Sequence, residues 1–270
     1  MNAVHREIFK KGSKTYFNSS LFFPEAIRRD VFALYGFVRV ADDFVDQVPQ
    51  DVRGFYQFKE RYQRTLSGEA SGDVIVDSFV ELSRRKQFPG EWADAFLTAM
   101  ETDLSKKEYH SVDESLEYIY GSAEVIGLFM ARIMDLDECS FHPARMLGRA
   151  MQYINFIRDI AEDLRLGRRY LALEGTPLGS LDEETAARQP MAFESFMRQH
   201  LDLYRAWQTE AEQGYPLIPR RYRVAIKTAA DMYNWTARRI EGDPFIVFRR
   251  KVKPAKVRIL AALMRNWLEV

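Results

Sequence analysis

A single cysteine, Cys139, stands in a chain of 270 residues. No intrachain disulfide can form, which suits a reducing compartment. The opening stretch MNAVHREIFKKGSK has no apolar core of the kind that directs secretion. No run approaches the roughly 18 uninterrupted apolar residues of a spanning helix. Excess charge is lacking too: 39 Lys and Arg balance 39 Asp and Glu. Bulk nucleic-acid binding usually leaves a basic excess, so the balance argues against it, and any anion site must be local. His5, His110, His142 and His200 are scattered, and none completes a Glu-x-x-His pair, which discounts di-iron chemistry. HExxH, GxSxG and P-loop patterns are absent, as are alternating β-branched runs and Asn-Gly or Asp-Gly hairpins. These absences describe a cytoplasmic protein without a transmembrane segment. Peripheral contact with a membrane surface stays open.

What is present is helical periodicity in a globular composition, 47% hydrophobic and 29% charged. Pro24 marks the first residue of a helix running through DDFVD (42–46). SVDE (Ser111 to Glu114) and SLDE (Ser180 to Glu183) read as capping boxes. Pro143 opens the helix carrying RAMQYINFIRDIAEDL. Breaks fall at QFPG (87–90) and EGTPLGS (174–180), the latter a loop rather than a boundary. The expectation is one all-α domain over residues 1–270. Its last stretch, VRILAALMRNWLEV, is amphipathic and reads as core packing ahead of membrane contact.

Two segments carry carboxylates at helical spacing. On a helix over 31–46, Asp46 lies about 40° from Asp42, and both prolong the apolar stripe of Val31, Tyr35 and Val38. An unpaired charge facing an interior is costly, so a cationic partner is expected, although a frayed helix end would serve as well. In QYINFIRDIAED (152–163), Gln152, Asn155, Asp159 and Asp163 fall within roughly 80° of arc, flanking the apolar face of Tyr153, Ile157, Ile160 and Leu164. Taken alone, that stripe suits a solvated face equally well. Together, oxygen-only ligands on two helices select a hard divalent cation, Mg²⁺ above all where phosphates complete the shell.

The chain resembles the squalene/phytoene synthase family, the head-to-head prenyl synthases. The likeness runs through GSKTYF (12–17), ALYGFVRVADDFVD (33–46), YIYGSAEVIG (118–127), QYINFIRDIAED with RRYL after it, and FRRKV (248–252). NxxRDxxxD joined to DDxxD is the most specific part. The resemblance implies an all-helical isoprenoid-synthase bundle around a central apolar cavity. It implies Mg²⁺ held by Asp42, Asp46, Asn155, Asp159 and Asp163 against the diphosphates of two allylic substrates. Tyr118 joins the four aspartates among the implied catalytic residues. Ser13, Tyr16, Arg39, Arg158 and Arg250 match substrate-binding positions, the last in a loose register. Tyr35, Tyr118 and Gln152 match positions lining the cavity. Two departures touch substrate details: Glu124 stands where a glycine is frequent, and Gly242, Asp243 and Pro244 replace an aromatic.

The reaction implied joins two geranylgeranyl diphosphates into phytoene through a cyclopropyl diphosphate. The alternative is a dehydrosqualene or squalene synthase using two farnesyl diphosphates, the latter with NADPH, for which no GxGxxG fingerprint is seen. Two other readings remain: a non-catalytic relative serving as a binding or assembly protein, and a cyclase or hydrolase keeping one substrate's carbons. Oligomeric state is not legible.

Overall fold

The structure is a computed structural model describing His5, Glu7, Ile8, Ser20 and residues 23–269. Among the described residues it is helical throughout, with one isolated bridge between Glu108 and Arg169. The helices are α1 (Glu25–Asp46), α2 (Val52–Leu66), α3 (Val74–Lys86), α4 (Gly90–Thr102) and α5 (Val112–Ile119). A π-helical turn (Tyr120–Glu124) leads into α6 (Val125–Ile133), then α7 (Phe141–Arg158) and α8 (Ile160–Arg165). There follow α9 (Glu183–Arg188), α10 (Pro190–Glu212), α11 (Arg220–Gly242), α12 (Ile246–Arg249) and α13 (Lys256–Glu269).

The local signals mostly hold, with shifts of a residue or two. Pro24 precedes the first turn of α1 rather than occupying it. Ser111 Oγ accepts from the Glu114 amide at 3.1 Å, while the Glu114 carboxylate reaches back to the His110 amide instead of Ser111. In SLDE the cap is Asp182, which accepts from the Thr185 amide at 2.7 Å; Ser180 Oγ accepts from the Asp182 amide. α7 starts at Phe141, so Pro143 lies within its first turn, where no amide hydrogen is needed. QFPG ends α3 through Gln87, whose φ of 53° is left-handed.

Residues 152–163 are not one helix. Asp159, at φ −101° and ψ 13°, separates α7 from α8. Its amide still bonds the Asn155 carbonyl, at 2.8 Å, and its carbonyl accepts from Asp163 at 2.9 Å, so the stripe bends without losing register.

α1 packs on α2 and α3 through a fully buried aromatic cluster, with Phe37 stacked on Phe79 at 3.9 Å between centroids. α7 packs against the π-turn, α6, α10 and α11. The contact of α7 with the π-turn and α6 is backbone-close. A Cβ on Gly148 would stand 2.3 Å from the Ala123 carbonyl, and one on Gly127 2.2 Å from that of Ala144. Only glycine fits either crossing. Behind it Glu124, without exposed surface, accepts from Arg145 Nε at 2.8 Å and Arg149 Nε at 2.6 Å. The carboxylate that replaces a glycine here is therefore a buried, twice-paired charge pinning α7 to the π-turn.

A candidate diphosphate and metal site at the mouth of an apolar cavity

Between α1, the π-turn, α6, α7 and α11 lies a cavity of about 330 Å³. Leu34, Tyr35 and Val38 line it from α1, and Met151, Gln152 and Asn155 from α7. Tyr35 is largely enclosed, and burial pushes its hydroxyl up to about 12.

Beside the cavity the acidic residues converge. Asp42 is pushed up to about 7, by desolvation first and the neighbouring Asp46 second; a third of its side chain is exposed, yet protein atoms crowd the carboxyl. Asp163 is pushed up to about 8, by burial first and then by Asp159, Glu162 and Asp46. Asp46 thus acts on both Asp42 of its own helix and Asp163 of α8, so the two acidic stretches meet.

Cations hold this cluster together. Arg39 donates to Asp42 at 2.9 Å and pairs with Asp43 at 2.5 Å. Arg158 bonds both oxygens of Asp159, one at 2.9 Å, rather than pairing with Glu162. Arg168, 5% exposed, donates to Asp46 at 2.7 Å and to the Val45 carbonyl at 2.5 Å, fastening the segment after α8 to the end of α1. Lys251 pairs with Asp159 at 3.3 Å and with Glu162. Arg250 is exposed and forms no ion pair among the described residues; the basic segment reaches the acids through Lys251 instead.

Tyr118 is placed differently from expectation. It does not line the cavity. Its hydroxyl donates to Asp103 at 2.6 Å, in a buried cluster where Tyr170 also donates to Asp103, at 2.8 Å, and receives from Arg168 at 3.3 Å. Burial pushes Asp103 up to about 6 despite Arg168 and the two tyrosines. Ser13 and Tyr16 lie outside the described residues. The sequence reading missed Asp103, Tyr170, Arg168 and Lys251. Arg168 and Tyr170 stand inside the RRYL already noticed, and Lys251 inside FRRKV. Asp103, at the end of α4, carries no local signal.

Among the described residues no three or more His, Cys, Asp and Glu side chains are grouped so as to hold a metal ion by themselves. The donor set nonetheless fits a hard cation. Asn155 Oδ1 is buried without a hydrogen-bond partner, while its Nδ2 sits 3.5 Å from Gln152 Oε1. An orphaned buried carbonyl oxygen one turn before Asp159 is what an oxygen-binding divalent ion would satisfy.

A sequence profile described as squalene/phytoene synthase matches residues 9–258. The chain belongs to the squalene/phytoene synthase family. As a member it is a prenyltransferase of that type. Family relatives include the 15-cis-phytoene synthase of Paracoccus sp., 26% identical over 260 residues, covering 93% of this chain and 85% of that protein. The 15-cis-phytoene synthase of Enterobacter agglomerans is 29% identical over 243 residues, covering 82% of this chain and 80% of that protein. Among solved structures, a dehydrosqualene synthase in complex with ligand superposes with a TM-score of 0.85 at 22% identity, covering 99% of this chain and 95% of that one. The squalene synthase HpnC from Alicyclobacillus acidocaldarius gives 0.79 at 22% identity, over 90% and 93%. These structures share the isoprenoid-synthase fold of this family member.

Proposed function

We propose that the chain condenses two geranylgeranyl diphosphates head to head to give phytoene. What supports the reaction type is the approach of two acidic stretches beside an apolar cavity that Asn155 lines: Arg168 bonds Asp46 through its side chain and the Asp163 carbonyl through its amide. The curated relatives, named as phytoene synthases, favour the C20 substrate.

In this reading Asp42, Asp46, Asn155, Asp159 and Asp163 hold Mg²⁺, which when bound neutralises charge on the departing diphosphate. Arg39, Arg158 and Lys251, now tied to carboxylates, present their donors to diphosphate oxygens. The cavity encloses the prenyl chains and keeps water from the allylic cation left by C–O cleavage. Tyr35 offers that cation an aromatic face. The first chain alkylates the double bond of the second, a proton leaves, and a cyclopropyl diphosphate forms. Its own ionisation, rearrangement and proton loss give the triene. Asp103 and Tyr170 keep Arg168 on Asp46, and Tyr118 shares their buried hydrogen-bond cluster.

A second reading, with the C15 substrate, is favoured by cavity size: 330 Å³ sits at the low end of the ~300–1,000 Å³ of ligand pockets. Mass analysis of products from purified protein, MgCl₂ and either diphosphate, with and without NADPH, decides. The expected result is a C40 hydrocarbon from the C20 substrate without NADPH. A C30 hydrocarbon alone transfers support to the second reading. Products keeping one substrate's carbons, or no diphosphate release, overturn the condensation.

A further inference from the structure

α13 is apolar on two sides. Its inner side, Ile259, Ala262 and Leu263, is buried around Asn266, which donates to Thr228 and Asp231, and the helix packs on α11. Val257, Leu260, Met264, Trp267 and Leu268 fall within about 100° of arc on the other side. These five are between 58% and 79% exposed. The described residues leave twelve large hydrophobic side chains exposed in all, so close to half lie on one helix of 14 residues. Scattered exposure needs no explanation, but a stripe does.

The stripe has basic margins. Residues 249–258, RRKVKPAKVR, hold six basic side chains and no acidic one, in a chain whose charges balance at 39 each. Arg250, Lys253 and Lys256 form no ion pair among the described residues. On the helix, Lys256 borders the stripe on one side and Arg258 on the other, beside Arg265, which is paired with Asp231 and Glu269. A second copy pairing two-fold through this face would set like charges against each other, which disfavours a dimer there. An apolar stripe with a tryptophan, flanked by Lys and Arg, matches the boundary between anionic headgroups and acyl chains.

We infer that α13 lies flat on an anionic bilayer, its stripe entering the headgroup–acyl boundary and residues 249–258 meeting lipid phosphates. Lys251 ties the same segment to Asp159 and Glu162, so the basic stretch that meets the lipid also contacts the acidic cluster. The inference needs no turnover and stands apart from the choice of substrate.

Flotation of the full-length protein with phosphatidylglycerol-containing vesicles, against pure phosphatidylcholine vesicles, tests it. The expected result is binding to the anionic vesicles that weakens with salt. Leu260→Asp/Met264→Asp and Lys253→Glu/Lys256→Glu should each cut it about tenfold with helicity unchanged. Trp267 emission should shift to the blue on binding, a shift that Trp267→Phe removes. The inference is overturned by no binding to anionic vesicles, by binding indifferent to lipid charge or to either double variant, or by a dimer in solution that Leu260→Asp dissolves.

Discussion

Asp159 has three duties: it interrupts a helix, takes both arms of Arg158 and receives Lys251. In the proposed reaction it also binds metal. Asp159→Ala and Asp42→Ala should each abolish diphosphate release while far-ultraviolet dichroism stays near wild type; a variant that still forms condensed product would refute the assignment. Arg39→Ala should raise KM more than it lowers Tm, since its partners are a third or more exposed and such pairs contribute only about 0–1 kcal/mol. An unchanged KM would leave Arg39 as a helix ion pair alone. His200 is buried against Tyr153, whose hydroxyl lies 2.5 Å from Nδ1, and burial pushes it down to about 4. The unfolded chain takes up this proton below about 6.5 and the native one only below about 4, so the stability it contributes is present above 6.5 and lost as pH falls through 4. The loss approaches about 3 kcal/mol. Asp42, Asp103 and Asp163, with raised pKa values, act in the opposite sense in wild type and variant alike, so the test is differential: between pH 7 and pH 4.5 in urea unfolding, the wild type should lose about 2 kcal/mol relative to His200→Phe.

At the scale of elements, the crossing of α7 with the π-turn and α6 shapes the cavity. Gly148→Ala drives a methyl into the Ala123 carbonyl and should cost about 1–3 kcal/mol, read as a lower urea midpoint. Arg149→Met leaves the fully buried Glu124 with one partner and should cost about 3 kcal/mol. The all-helical class and some helix ends were legible because caps and breaks are local: the Ser111 cap and the QFPG stop act within four residues, whereas in SLDE the cap falls on Asp182 rather than Ser180. The bend at Asp159 was not, because helical periodicity continues across it and only tertiary ties to Arg158 and Lys251 make it stable there. Tyr118 was drawn off the cavity wall by Asp103, fifteen residues earlier and just past the end of α4, a pairing that spacing does not reveal.

At the scale of the whole molecule, the acidic register of α1 and α7–α8 was legible because i, i+4 spacing fixes which side chains share a face. Their meeting was expected only through the family resemblance, because spacing along one helix does not say which other helix it faces; the packed fold ties Asp46 and Asp163 through Arg168. The chemistry rests on that meeting. Metal should stabilise the fold: MgCl₂ with inorganic diphosphate should raise Tm and EDTA reverse it, with no response in Asp159→Ala. The most direct measurement is anomalous diffraction from crystals grown with Mn²⁺ and an unreactive prenyl thiodiphosphate. Manganese peaks bridging Asp42 and Asp46 on one side and Asn155, Asp159 and Asp163 on the other are the predicted result. Density for the thiodiphosphate without metal between those helices, or manganese bound elsewhere, would contradict it.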